Sequence, residues 1–114
     1  VPPGGAPYIG LENEMGKVKW FNGTYGFIKA NNVEYFVHHS DVTGFLSSGD
    51  TVNFKIDPTS EQYDKAIHVI SDEYERAMYL VARLLNSGAP LEEITKGHSR
   101  KIRSYAKKIL RRIR

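Results

Sequence analysis

The sequence contains no cysteine. A disulfide framework, a zinc site built on thiolates and a cysteine nucleophile are therefore all excluded. The chain also lacks any run close to the roughly 18 apolar residues that cross a bilayer, and its N-terminal segment shows no basic stretch followed by an apolar one. These absences predict a cytoplasmic protein without a membrane partner.

Motifs for catalysis or for cofactor binding are also scarce. There is no glycine-rich phosphate loop followed by Lys-Ser or Lys-Thr. The cluster His38-His39-Ser40-Asp41 could suggest a metal site, but adjacent histidines on a strand point to opposite faces and would not share one ion. The sequence thus predicts a protein that is not an enzyme and that uses neither a metal nor a cofactor.

Positive charge is concentrated at one end of the chain. Overall, 16 Lys and Arg stand against 13 Asp and Glu, which gives a net charge of +3. Residues 96–114 hold nine of the basic residues and no acidic one, whereas residues 1–95 carry a net charge of −6. This asymmetry favours a polyanionic partner for the tail. The alternative is neutralisation within the chain by the acidic residues Asp72, Glu73, Glu75, Glu92 and Glu93.

The first two thirds of the chain have the pattern of a small β protein. Residues 1–14 are rich in proline and glycine and predict a flexible arm. From residue 15 to residue 70, short runs of β-branched and aromatic residues alternate with turn residues. The predicted strands are 16–21, 25–30, 34–39, 51–56 and 65–70. Because closure removes exposed edges, we expect a mainly β fold in which these form a five-stranded antiparallel OB-type barrel.

Residues 71–114 change to a helical period and predict a small α-helical module of two to three helices. Ser71 or Asp72 can cap the first helix and Gly88 can end it. The predicted helices are 72–87, 91–96 and 99–114. Apolar stripes are expected at Tyr74, Ala77, Met78, Val81, Leu84 and Leu85 in the first helix, and at Ile102, Tyr105, Ala106, Ile109, Leu110 and Ile113 in the last.

Strand alternation predicts an aromatic and basic face on the β unit. In residues 25–30 it separates Tyr25, Phe27 and Lys29 from Gly26, Ile28 and Ala30, and in the next strand it places Phe36 with His38. Unpaired bases stack on such a surface. The expected core is Val18, Ile28, Val37, Val52, Phe54, Ile56, Ile67 and Val69. Trp20 would lie beside Val18 in the core unless a bulge turns it outward.

Five motifs resemble the cold-shock domain family, and they occur in the family's order. They are Gly16-Lys-Val-Lys-Trp-Phe-Asn22, Tyr25-Gly-Phe-Ile28, Phe36-Val-His38, Gly44-Phe45 and Ser48-Gly-Asp-Thr-Val52. The resemblance covers about half the chain and implies an OB-type barrel that binds single-stranded RNA or DNA. By position it implies a binding surface of Lys17, Lys19, Trp20, Tyr25, Phe27, Phe36, His38 and Phe45.

The chain also departs from the pattern of that family. Three residues separate Asn22 from Gly26 where the family usually has five, which predicts a tighter first hairpin. His39 stands where the family commonly has a further aromatic residue, and it is expected to stack, but more weakly than that residue.

The last predicted helix supplies a second set of candidate residues. These are Arg100, Lys101, Arg103, Lys107, Lys108, Arg111, Arg112 and Arg114. Like charges at i, i+4 spacing repel one another, so their density favours an anionic ligand. The module could extend the single-strand site, dock on RNA polymerase or the ribosome, or bind duplex DNA, since Leu91-Glu-Glu-Ile94 followed by Ser99 weakly resembles a helix-turn-helix segment.

Together these features predict a protein that binds single-stranded nucleic acid, with RNA as the first expected ligand and single-stranded DNA as the second. We expect it to act as an RNA chaperone or as a regulator of transcription or translation. The alternative is a transcription regulator whose C-terminal helices bind duplex DNA or dock on RNA polymerase or the ribosome.

Overall fold

The computed structural model describes residues 11–113. The chain forms two compact units, of which the first ends at Ser71 and the second begins at Asp72. Within the described residues, no helix has the length and apolar character needed to cross a membrane. Residues 1–10 of the predicted flexible arm and Arg114 lie outside the described part of the chain.

The first unit is a six-stranded sheet. Its strands are β1 (Glu14–Phe21), β2 (Tyr25–Ala30), β3 (Val33–His38), β4 (Val42–Thr43), β5 (Thr51–Ile56) and β6 (Ala66–Ser71). They lie in the order β3-β2-β1-β5-β6-β4. All neighbouring pairs are antiparallel except β4 and β6, which run parallel.

The mainly β class is confirmed, but the prediction of five strands in a closed antiparallel barrel is wrong. A sixth strand, β4, is only two residues long and follows a short 3₁₀ turn at His39–Asp41. Two residues are too few to show strand alternation, so the pattern could not reveal it. The sheet is an open half-barrel in which an isolated bridge, from Phe36 to Lys65, joins β3 to the residue before β6.

The core of the sheet unit follows the strand alternation. Of the eight predicted core residues, seven are buried: Val18, Ile28, Val37, Val52, Phe54, Ile67 and Val69. Ile56 is half-buried and packs at the margin of this cluster. Tyr35 is buried as well, and its ring centroid lies 5.2 Å from that of Phe54. Burial, together with the charges of Asp64 and Glu14, raises the pKa of the Tyr35 hydroxyl.

The sheet begins earlier than the sequence pattern predicted. Glu14 is the first residue of β1 and lies opposite Phe54 of β5. The Leu11 carbonyl accepts a hydrogen bond of 2.7 Å from the Lys55 ammonium group. The end of the predicted arm is therefore held against the sheet, because its backbone finds partners on β5.

The second unit contains three helices: α1 (Asp72–Ser87), α2 (Leu91–Ile94) and α3 (Arg100–Ile113). The buried residues of α1 and α3 are Ala77, Leu80, Val81, Leu84, Tyr105, Ala106 and Leu110. Ser99 caps α3 by accepting a hydrogen bond from the backbone N–H of Ile102, at 3.2 Å. Helix α2 is a single turn, shorter than the predicted 91–96.

The buried face of α1 is rotated from the predicted one. Met78 and Leu85 are 43% and 54% exposed, whereas Leu80, which was not predicted, is 1% exposed. Ile113 at the end of α3 is also exposed. The apolar residues of α1 occupy more than one face of the helix, so periodicity alone could not decide which face packs.

Candidate nucleic-acid interface

Four aromatic side chains gather on β1, β2 and β3, on the side of the sheet opposite the core. We call Trp20, Tyr25, Phe27 and Phe36 the aromatic face. Strand register places Trp20 opposite Phe27, and Phe27 opposite Phe36. The ring centroids in these two pairs are 5.4 Å and 5.9 Å apart. Tyr25 lies 5.5 Å from Trp20 and stacks on Phe36 at 6.0 Å, so the rings form one continuous surface.

A β-bulge accounts for the position of Trp20. The register of β1 against β2 shifts between Val18 and Trp20, so that Val18 faces the core while Trp20 is 36% exposed. Gly26 of β2 lies just past this bulge, opposite Phe21. A Cβ atom on Gly26 would overlap the Trp20 carbonyl oxygen and lie 2.8 Å from the Phe21 Cα atom. Gly26 therefore allows β1 and β2 to approach each other closely beside the bulge, next to Trp20.

A compact turn holds Tyr25 on the aromatic face. The side-chain oxygen of Asn22 accepts hydrogen bonds from the backbone N–H groups of Thr24 and Tyr25, both at 2.9 Å. The Asn22 N–H donates in turn to the Tyr25 carbonyl, and Gly23 adopts a φ of 95°. The Asn22 side chain thus closes the connection of residues 22–24, and this turn places Tyr25 against Phe36.

Three predicted lysines lie on the exposed side of β1 and β2. Lys17 and Lys29 are exposed and stand opposite each other in the strand register. The Lys19 ammonium group lies 3.0 Å from a Glu34 carboxylate oxygen, and both side chains are about half exposed. Exposed ion pairs of this kind contribute only about 0–1 kcal/mol, so a phosphate group can replace Glu34 at little loss.

The two histidines follow the aromatic face along the chain. His38 ends β3, and its Nδ1 atom accepts a hydrogen bond from the Ser40 backbone N–H at 3.2 Å. In the neutral ring the proton is therefore on Nε2, where it can be donated to a base or a sugar.

The prediction that His38 and His39 point to opposite faces is wrong. His39 lies in the 3₁₀ turn rather than on the strand, and the two ring centroids are 4.3 Å apart. Strand alternation does not apply where the strand has already ended. Within residues 11–113, no group of three or more His, Asp or Glu side chains is arranged to hold a metal ion.

Two further aromatic residues of the sheet unit lie in loops. Phe45 is half-buried in the connection between β4 and β5, so it does not belong to β1, β2 or β3. Tyr63, which the sequence analysis missed, lies between β5 and β6, and its ring centroid is 5.3 Å from that of Phe36. Loop residues do not alternate between two faces, so the sequence does not show where their side chains point. The signal available for Tyr63 was an isolated aromatic residue among polar residues just before a strand.

The predicted basic residues of α3 fall into two groups. Arg100, Arg103, Lys107 and Arg111 follow one another at spacings of three or four residues, which places them on one side of the helix; we call them the basic stripe. All four are exposed, and no ion pair is seen for them among the described residues. Outside the stripe, Lys101 is half-buried, Lys108 lies 5.9 Å from the Tyr105 ring centroid, and Arg112 is exposed.

Comparison with known proteins places the sheet unit in a family. The family model described as "'Cold-shock' DNA-binding domain" matches residues 14–71. A solved structure described as "drosophila Unr CSD456" is similar at 21% sequence identity with a TM-score of 0.47. The similarity covers 54% of this chain and 27% of that one. No curated protein matches.

The family match begins at the first residue of β1 and ends at the last residue of β6. It therefore contains the whole aromatic face and the three lysines beside it, and it leaves the three helices outside. The chain belongs to the cold-shock domain family, a family of nucleic-acid binding domains.

Proposed function

We propose that this protein is a non-enzymatic binder of single-stranded nucleic acid, with RNA preferred over single-stranded DNA, and that it acts in the cytoplasm as an RNA chaperone or as a regulator of transcription or translation. The observation that carries the proposal is the aromatic face, a continuous surface of partly exposed rings on an open sheet. Such rings stack on unpaired bases, and each base contributes about 1–3 kcal/mol.

Stacking of this kind requires a single strand, because the base faces within a duplex already stack on each other. The preference for RNA is supported by polar groups at the edge of the aromatic face. Nε2 of His38 and the hydroxyl group of Tyr25 can both hydrogen-bond a ribose 2′-hydroxyl group, which DNA lacks.

Fluorescence anisotropy with three labelled ligands of the same base sequence tests this proposal. The ligands are a single-stranded RNA, the matching single-stranded DNA and the DNA duplex. We expect the affinities to fall in that order, because the duplex offers no unstacked base and the DNA strand no 2′-hydroxyl group. Tightest binding to the duplex would contradict the proposal, and equal binding of the two single strands would remove the preference for RNA.

The basic stripe supports a second role, in which α3 contacts phosphate groups. From Arg100 to Arg111 the stripe spans about 16 Å of helix at 1.5 Å per residue, which is long enough to meet more than one phosphate of an extended strand. Phosphate contacts of this kind add affinity without reading sequence. Helix α2 is a single turn, shorter than the supporting helix that crosses the DNA backbone in helix-turn-helix proteins, which disfavours duplex recognition.

Docking of the helical module on RNA polymerase or the ribosome is the competing role for this unit. The salt dependence of binding separates the two, because only phosphate contacts release counterions from the nucleic acid.

A further inference from the structure

Tyr63 is placed beside the aromatic face by hydrogen bonds of its own loop. The Phe36 backbone N–H donates to the Asp64 carbonyl at 2.8 Å, and Lys65 bridges to Phe36. These contacts fasten the end of the loop to the outer edge of β3. The Tyr63 ring then lies edge-on to Phe36, with an interplanar angle of 75°, and is 50% exposed.

The loop that carries Tyr63 is closed at several points. The Asp57 carboxylate accepts hydrogen bonds from the Thr59 N–H and hydroxyl groups, at 2.8 Å and 2.7 Å. The Ser60 hydroxyl donates to the Tyr63 carbonyl at 2.6 Å, and the Asp57 N–H donates to the Lys65 carbonyl at 2.9 Å. A loop that is already ordered loses less conformational entropy when a ligand binds.

With Tyr63 included, neighbouring aromatic rings extend across four adjacent chain segments. The successive centroid distances are 5.4 Å from Trp20 to Phe27, 5.9 Å to Phe36 and 5.3 Å to Tyr63. We propose that Tyr63 is an additional base-stacking residue, which extends the aromatic face past β3 and lengthens the bound strand by one nucleotide. This inference rests on the proposed function, since it assumes that the aromatic face binds a single strand.

The charges near Tyr63 distinguish its contribution to binding from that of a phosphate contact. Tyr63 lies between Glu61 and Asp64 in sequence, and both residues are exposed. Acidic neighbours do not hold a phosphate group, so the extension acts through stacking alone. Removing the Tyr63 ring therefore lowers affinity without changing the slope of log affinity against log salt.

The first experiment measures affinity of the full chain for oligouridines of increasing length, from about four nucleotides upward. Wild type is compared with Tyr63→Ala, Tyr63→Phe and, as a control in the same loop, Gln62→Ala. In Tyr63→Ala we expect a loss of about five-fold or more for the longer strands and none for the shortest. Tyr63→Phe keeps the ring and should bind like wild type, as should Gln62→Ala.

The second experiment uses wild-type protein, so that folding of a variant is not in question. Oligouridine carrying 5-iodouridine at its terminal positions is crosslinked to the full chain by light, and the adduct is located by mass spectrometry. We expect an adduct on Tyr63 from one end of the strand only, because the ring lies at one edge of the aromatic face.

Two results would overturn the inference while leaving the proposed function intact. One is wild-type affinity of Tyr63→Ala at every length, with Phe27→Ala clearly weakened and no adduct on Tyr63. The other is an equal loss in Tyr63→Ala at all lengths, which would mean that Tyr63 only supports Phe36. If Phe27→Ala also binds like wild type, the proposed function fails together with the inference.

Discussion

The two units present their candidate binding residues in different ways. In the sheet unit, Trp20, Phe27 and Phe36 belong to three strands, and strand register and a bulge bring them together. In the helical unit, the basic stripe belongs to one helix, and helical periodicity alone aligns it. The first surface is suited to stacking of bases and the second to contact with phosphates. Because strand register aligns the aromatic face, single substitutions there should lower nucleic-acid affinity strongly. Substitutions in the basic stripe should lower it gradually, one charge at a time.

The largest expected effects come from replacing phenylalanine by alanine on the two sides of the sheet. Phe54→Ala removes a ring that is 0% exposed, and it should lower the free energy of unfolding by about 3–5 kcal/mol. Phe27→Ala and Phe36→Ala remove half-buried rings from the aromatic face. Each should weaken single-strand binding by about 1–3 kcal/mol with little loss of stability.

Thermal unfolding and anisotropy titrations of the three variants measure both quantities. Tyr79→Ala, which removes an exposed ring from α1, is the matched control and should change neither. A large loss of stability in Phe27→Ala would show that the ring acts as a core residue.

The next effect concerns the basic stripe. Replacing Arg100, Arg103, Lys107 and Arg111 together by glutamine in the full chain removes four positive charges from one helix face. If each residue contacts a phosphate, the slope of log affinity against log salt becomes shallower by about 0.7 per contact on a single strand. Relative affinities for different base sequences should be unchanged, because phosphate contacts do not read bases.

Affinity measured at several salt concentrations checks this prediction, and the single variants should show graded changes. An unchanged slope and affinity would remove the stripe from the nucleic-acid site. Docking on a protein partner would then be the better account of the helical unit.

A smaller effect is expected from the acidic residue beside the aromatic face. Glu34 pairs with Lys19 at 3.0 Å and stands opposite Lys29 in the strand register. Glu34→Gln leaves both lysines available to phosphate groups and removes a repulsive charge, so single-strand affinity should rise several-fold at low salt. Glu12→Gln, an exposed carboxylate that precedes β1, is the control. A fall in affinity would show that Glu34 itself contacts the ligand.

The smallest effect tests the loop that carries Tyr63. Hydrogen bonds from the Thr59 hydroxyl and N–H groups lower the pKa of Asp57 in the folded protein. The carboxylate therefore stabilises the fold above its ordinary pKa near pH 4, and this contribution is lost as the pH falls through the lowered value. The Asp57→Asn variant should lack this contribution, so its stability should fall less than that of wild type over the same pH range. Thermal midpoints of both proteins, measured from about pH 5 downward, make the comparison.

Strand alternation predicted much of the sheet unit. The period of two separated Phe27 from Ile28 and Phe36 from Val37, and the burial of these residues follows that division. Alternation also indicated that Trp20 needs a bulge to leave the core, but it could not show that Gly26 lets the two strands approach closely beside that bulge. That requires the distance between two backbones.

The other features of the structure could not be predicted from sequence periodicity. Their residues lie where the strand or helix pattern ends, or where it fits more than one face. His39 follows the last residue of β3, and β4 is two residues long. Tyr63 is set by hydrogen bonds between its loop and β3. On α1, apolar residues occupy two faces, and packing selected the face that contains Leu80.

The most direct test of the central claim uses the single tryptophan of the chain, Trp20. Its fluorescence is recorded while a pyrimidine-rich single strand is added to the full chain, with binding followed in parallel by anisotropy. If bases stack on the aromatic face, the fluorescence changes in proportion to the bound fraction, and the midpoint shifts to higher concentration in Phe27→Ala. Unchanged fluorescence at saturating oligonucleotide would contradict this account, because the strand would then be bound elsewhere.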